Sequence, residues 1–269
     1  MEPQATAVAT DVLDAVAEGR YPLPHDVLGA HLNDGVVTIR SVHHLADSVE
    51  VLTQDHTYPA THEHGGVWVC VFAADDIPDY RLRVTYGDHS QVVDDPYRFL
   101  PTVGEMDTYL ISEGRHERLW DVLGAHLMHF DGVMGPVDGV AFAVWAPNAQ
   151  AVRVVGDFNF WDGTGHAMRT MGASGVWELF IPGVGVGARY KFEIQGPSGN
   201  WFQKADPMAR ATEIPPATAS VVTDVFHTWN DEDWLRARED ANPHNGPMSI
   251  YEVHAGSWKQ DLGYRGLAD

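Results

Sequence analysis

The chain has 269 residues, 44% of them hydrophobic, and a formal net charge of −21. That length suits about two domains of ordinary size, each able to bury a core of its own. With no cluster of Lys or Arg, the charge argues against nucleic acid and anionic membrane as partners, since both reward concentrated positive charge; a neutral polymer such as a sugar chain is compatible.

Residues 5–18 predict a helix. Val8, Val12, Leu13 and Val16 fall on one helical face, and Gly19, Pro22 and Pro24 end it. Short strands follow at Val37 and Ile39, at 49–51, at 67–72 and at 80–86, with turns at Gly65-Gly66 and Gly87-Asp88. Residues 94–130 read as a connector with short helices at 107–112 and 116–123, and 131–138 as a Gly- and Pro-containing loop. Strands are then predicted at 141–146, 151–155, 176–181, 189–195 and 220–225. An acidic helix at 231–240 lies in a boundary segment, 228–247. The run Ser249-Ile250-Tyr251-Glu252-Val253-His254 reads as a strand opening a further domain, inside which the chain stops.

A repeat underlies this order. Asp-Val-Leu-Gly-Ala-His occurs at 26–31 and 121–126, Gly66-Val67-Trp68 returns as Gly175-Val176-Trp177, Tyr80 to Val84 is echoed by Tyr190 to Ile194, and Asp95-Pro96 by Asp206-Pro207. The offsets are 95, 109, 110 and 111 residues, so two tandem copies of one module are expected. Short strands at such spacing suit a β-sandwich. The fold class is therefore mostly β, two tandem immunoglobulin-like sandwiches with short connecting helices.

The lone Cys70 permits no intrachain disulfide, fits a reducing compartment, and sits in an apolar run as a small buried side chain. There is no basic stretch leading into an apolar signal region and no run of about 20 apolar residues, so a cytoplasmic location is expected. No cofactor is implied. His62-Glu63-His64 and His43-His44 lack a third ligand at defined spacing, so no metal site is expected. Gly183-Val184-Gly185-Val186-Gly187 leads into a strand without a Lys-Ser/Thr pair, which makes it a hairpin turn. No nucleophile and base are set at a defensible spacing.

The loop Gly156-Asp157-Phe158-Asn159-Phe160-Trp161-Asp162-Gly163 has the composition of a turn yet holds three aromatics. An aromatic there is either folded onto the core or displayed, and a displayed indole offers a flat apolar face beside an N–H donor, which suits the C–H face and polar edge of a sugar ring. Trp201 lies in a second turn, and Lys191 on the preceding strand. If these converge, Trp161, Trp201 and Lys191 make a glucan groove; otherwise the tryptophans serve packing. Trp177 reads as core. The first module has Leu52-Thr53-Gln54-Asp55-His56 and Gly87-Asp88-His89 at the matching places, without tryptophan.

Phe142 to Ala149, the loop Val155 to Trp161, and Tyr190-Lys191-Phe192 resemble carbohydrate-binding module family 48. With His25 to His31, Glu113 to Trp120 and Tyr251 to Trp258, the whole chain is similar to the N-terminal half of bacterial glycogen branching enzymes with two N-terminal sandwiches. The resemblance implies an N-terminal helix (1–19), a first sandwich (20–105), a helical connector (106–130), the family 48 module (131–227), a linker (228–247) and the start of a glycoside hydrolase family 13 (β/α)8 barrel (248–269), of which only the first strand is present. It implies α-1,4-glucan branching by retaining chain transfer, which needs a carboxylate nucleophile and an acid–base; the family's catalytic residues have no matching positions, so no catalytic residue is assigned and the chain itself is expected to be inactive. Trp161, Lys191 and Trp201 match the module's sugar-binding positions, whereas Pro216-Ala217-Thr218-Ala219-Ser220 lacks an asparagine often seen there. The partner implied is α-1,4-glucan or glycogen, bound by a monomer. Competing readings are a debranching or trehalose-releasing glucan hydrolase, which should lack the first sandwich, and a non-catalytic glucan-binding scaffold.

Overall fold

The computed structural model describes residues 3–224, 228–241, 245–259 and 263–268. Residues 1–225 form one compact unit and 226–269 a second.

In the first unit, β1 (Gly29–Asn33), β2 (Val36–Val42), β6 (Val67–Ala73) and β5 (Thr61–His64) form one antiparallel sheet in the order β1-β2-β6-β5, and β4 (Thr57–Pro59), β3 (Ser48–Leu52), β7 (Arg81–Tyr86) and β8 (His89–Val93) a second in the order β4-β3-β7-β8. Alternate side chains of the two sheets meet in a core of Val37, Ile39, Val49, Val51, Trp68, Cys70, Phe72, Tyr80, Leu82 and Val84. Burial pushes the Cys70 thiol up to about 11, so it is an inert packing group.

The second sandwich repeats the plan. One sheet runs β12-β13-β10-β9, from β9 (Gly124–Phe130), β10 (Val137–Trp145), β12 (Arg169–Thr170) and β13 (Val176–Pro182). The other runs β11-β14-β17-β16, from β11 (Ala151–Gly156), β14 (Arg189–Gln195), β16 (Ala211–Thr212) and β17 (Ser220–Val221), with β15 (Trp201–Lys204) also paired to β14.

The repeated strings meet one another in each sandwich. Tyr80 donates to Asp95 at 2.7 Å and Tyr190 to Asp206 at 2.5 Å. The same carboxylates accept from the backbone of Tyr97 and Met208. Gly29 (φ +82°) and Gly124 (φ +107°) lie against the carbonyls of those two residues, where an added Cβ would stand 2.4 and 3.3 Å away. Trp68 donates to the His43 carbonyl and Trp177 to the Ala146 carbonyl, each at 3.1 Å. Three of the four echoes thus meet at one corner in each sandwich, and the fourth repeats its own bond to a backbone carbonyl.

Several elements differ from the sequence reading. Helix α1 (Thr10–Ala17) starts later than residue 5. Arg40, 2% exposed, draws the preceding segment along β2 by donating to the Thr6 carbonyl at 2.7 Å, while Thr6 accepts from Asn33. Of the two short helices expected in the connector, α2 (Glu105–Ser112) forms, 116–123 holds only a three-residue 3-10 turn at Leu119–Asp121, and 124–130 is strand β9, an edge strand on β10 whose pairing no local alternation announced. Finally, the expected strand at 249–254 is irregular and exposed, followed by a short helix, α4 (Ala255–Trp258). A strand exists only in a ladder, and among the described residues no segment pairs with this one. The second unit otherwise contains α3 (Glu232–Asp240) and α5 (Tyr264–Ala268). The end of the strand predicted at 220–225 falls partly outside the described residues; β17 covers Ser220–Val221.

The sandwiches are fused. Leu13, Val16 and Ala17 of α1, with Val42, Val67 and Tyr97 of the first module, join the core of the second around Val140, Phe142, Trp177 and Leu179. The Tyr97 hydroxyl accepts from the Ala167 backbone at 2.9 Å and donates to the Gly165 carbonyl at 3.1 Å. Glu178, fully buried, pairs with Arg169 and accepts from the Thr102 hydroxyl at 2.6 Å, while Arg169 also donates to the Phe99 carbonyl at 3.2 Å, so the connector is pinned to β13.

Candidate functional site

Register places the candidate residues. On β11, Val152 and Val154 point into the core, so Arg153 and Val155 lie on the outer face. On β14, Tyr190 and Phe192 point inward, which puts Lys191, Glu193 and Gln195 outward. Gln195 pairs with Trp201, so Trp201 shares that face. Lys191 stands opposite Val155 and Glu193 opposite Arg153.

The aromatic loop folds back over this face. Val155 is outward-pointing yet 0% exposed, and an added Cβ on Gly163 would lie 3.0 Å from its Cγ1 and 2.8 Å from Arg153 Cβ, so the loop packs directly on β11. Within the loop Phe158 turns inward toward Phe142, with ring centroids 6.0 Å apart. Trp161 remains 37% exposed and Phe160 92%. Both have left-handed backbone, φ 54° at Phe160 and 64° at Trp161. Two successive non-glycine residues in that region cost about 1–3 kcal/mol each, and such strain collects at functional sites.

Asn159 holds the strained turn. Its Oδ1 accepts from the Gly156 backbone at 2.8 Å, and its Nδ2 donates to the Val154 carbonyl at 2.9 Å and to His166 Nδ1 at 3.1 Å. His166 Nδ1 must then be an acceptor, so the ring is neutral, and burial lowers its pKa to about 4. Asp157 is held below the usual carboxylate range by hydrogen bonds from Arg189, at 2.8 Å from its Nε.

Lys191 donates to the Thr218 hydroxyl at 2.8 Å. Thr218 belongs to the loop before β17, the segment that lacks the asparagine often seen there; its hydroxyl lies beside the lysine. Trp201 is partly exposed, with one ring face covered: the Arg153 guanidinium carbon lies 3.6 Å from its centroid. The sequence reading assigned no role to Arg153 or Thr218, and it met Phe160 only as one of the three loop aromatics. Arg153 left a signal, a charge between two core valines on an alternating strand.

The candidate site is therefore a sheet face with two tryptophans, a lysine and hydroxyl and amide groups. Among the described residues the buried carboxylates Asp95, Asp206 and Glu178 are each committed to structural hydrogen bonds. The His-Glu-His string is also committed: His62 accepts from the Gly66 backbone, Glu63 pairs with Arg40 at 2.7 Å and His64 with Asp14 at 2.6 Å. No group of three or more metal-ligating side chains occurs among the described residues, and no described helix is long and apolar enough to cross a membrane.

Comparison with known proteins assigns both modules. Residues 9–97 match the family model for the alpha-1,4-glucan branching enzyme GlgB N-terminal domain, and residues 122–209 match carbohydrate-binding module 48, the isoamylase N-terminal domain. Among relatives, 1,4-alpha-glucan branching enzyme GlgB of Thermobifida fusca is 53% identical over 99% of this chain, that of Leifsonia xyli 52% over 96%, and GlgB 1 of Streptomyces coelicolor 50% over 98%. The chain spans 36%, 36% and 34% of the length of these three relatives. The chain thus carries a GlgB N-terminal domain followed by a family 48 carbohydrate-binding module, and it is similar along nearly its whole length to the N-terminal region of 1,4-alpha-glucan branching enzymes.

Proposed function

We propose that the outer face of the β11-β14-β15 sheet binds α-1,4-glucan, with Trp161 and Trp201 as stacking plates and Lys191 as hydrogen-bond donor. The observation that carries this reading is the Trp161 loop: two aromatic residues kept at left-handed backbone angles and at least 37% exposed, on the module that matches a carbohydrate-binding family. A merely structural turn would relax such strain or place glycine there. The amphipathic face suits an uncharged polymer, and the overall charge of −21 disfavours polyanions.

The whole protein is proposed to be a branching enzyme that transfers a cut α-1,4 chain to a 6-hydroxyl, and this region to hold and position the polymer for it. Retaining transfer requires two carboxyl groups about 5–5.5 Å apart across the bond. The buried carboxylates here are spent on structure, so the 269-residue chain is proposed to bind glucan without branching it. Tethering the polymer raises its local concentration at a catalytic domain on the same chain. We place this activity in the cytoplasm and the region as a monomer.

Native electrophoresis in gels with and without glycogen tests the binding reading. The wild-type chain should be retarded and Trp161→Ala should lose most of that retardation; equal mobility of the two in glycogen would contradict it. Incubation of the chain with amylose should leave iodine absorbance unchanged, and a fall in absorbance would overturn the separation of binding from catalysis.

A further inference from the structure

Arg153 links the segment after α1, β14, the Trp161 loop and Trp201. The residue is 8% exposed. Its Nη1 donates to the Glu18 carbonyl, just beyond α1, at 3.1 Å. Its Nε lies 3.1 Å from Glu193 Oε2 on β14. Its aliphatic stem runs between two glycines, where an added Cβ at Gly19 would come within 3.0 Å of Cδ, and one at Gly163 within 2.8 Å of Cβ. Gly163 belongs to the Trp161 loop, and the guanidinium ends 3.6 Å from the Trp201 centroid.

The first module supplies an internal control. Its paired positions are Glu50 on β3 and Arg83 on β7, joined at 2.8 Å, the same cross-strand ion pair with the charges exchanged. The place of Trp201 is taken there by Ser90, paired with Thr85. An ion pair at this site therefore serves the sandwich in either polarity. Only the polarity with arginine on β11 puts a planar cation where an indole can lie on it, and only the module with the indole has it.

We propose that Arg153 is a positioning residue for glucan binding: it backs the Trp201 ring, leaves the opposite ring face for the sugar, and fixes that plate to the segment following α1. The inference rests on the proposed glucan face. A guanidinium stacked on an indole is planar and pre-organised, a geometry that the lysine ammonium does not reproduce. Anchored on Glu18 and Glu193, the guanidinium holds the indole flat before sugar arrives, which reduces the ordering cost of binding.

The test is a double-mutant cycle on the full 269-residue chain, with maltoheptaose affinity measured by calorimetry and folding checked by circular dichroism. Trp201→Ala should weaken binding, and Arg153→Lys should weaken it about three- to tenfold in the wild-type background while changing it by less than about twofold in the Trp201→Ala background. Glu193→Gln loosens the anchor without touching the buried stem and should show a smaller loss that also vanishes without Trp201. Equal losses in both backgrounds, or no loss from Arg153→Lys and Glu193→Gln while Trp201→Ala weakens binding, would overturn the positioning role alone. Unchanged affinity in both Trp161→Ala and Trp201→Ala would instead remove the glucan face on which it rests.

Discussion

Glu178 shows how single residues divide between structure and site. It is fully buried, pairs with Arg169 and accepts from Thr102, and so fastens the connector to the second sandwich. Removing one partner of such a pair leaves an uncompensated buried charge, so Glu178→Ala should destabilise the chain by about 3–5 kcal/mol in urea denaturation. A loss under about 1 kcal/mol would mean that water reaches Arg169 and that the pair is not the clasp described. At Trp161 the balance is reversed. Its side chain is partly exposed and its backbone strained, so its replacement should affect binding far more than stability. The unusual composition of that loop was readable because turn residues and aromatics conflict locally. Arg153 was not readable as a support, because its partners are Glu18, Gly19, Gly163, Glu193 and Trp201, which only the fold brings together.

At the scale of elements, the repeat was legible because its strings are core strands and the corners between them, which every copy of the sandwich must make. Asp95 and Asp206 close the same corner on Tyr80 and Tyr190, and Gly29 and Gly124 sit where backbone presses on backbone. The two glycines differ in degree, which permits a graded prediction. Both have positive φ, but an added Cβ at Gly29 would stand 2.4 Å from the Tyr97 carbonyl oxygen, against 3.3 Å from Met208 at Gly124. Gly29→Ala should therefore lower stability by roughly 2 kcal/mol or more and Gly124→Ala by about 1 kcal/mol, compared by thermal melts of the two variants. Equal costs would mean that φ alone, not the close approach, decides. Strand β9 escaped the sequence reading because Gly124–Phe130 lies at a sheet edge, where burial on one face is incomplete and alternation is blurred. Helix α1 was placed too early because apolar spacing continues through Val8, while the chain before Thr10 answers to buried Arg40 instead.

Across the first unit, the two sandwiches share a polar seam. A cleft of about 400 Å³ between them is lined by His43, Asp94, Asp95, Tyr97, Asn159 and His166, among others. Burial lowers the pKa of His43 and His166 to about 4, from a usual value of 6.5. The unfolded chain then binds more protons than the native one between those values, so these groups contribute stability that is present above pH 6.5 and lost as pH falls toward 4. Asp95 runs the other way: burial raises it to about 6 from 3.8, so its native form holds an extra proton in that window and offsets part of the loss. His166→Gln, whose side-chain oxygen can still accept from Asn159, should show a smaller fall in melting temperature from about pH 7 to about pH 4.5 than the wild type; an identical fall would show that His166 is not a neutral buried acceptor.

The most direct measurement of the central claim is a crystal structure of the chain with maltoheptaose at a concentration that saturates binding in solution. A glucose ring is expected on the Trp201 face opposite Arg153, a second against Trp161, and a sugar hydroxyl about 3 Å from Lys191 Nζ. Oligosaccharide bound on another surface, with the β11-β14-β15 face empty, would contradict that claim.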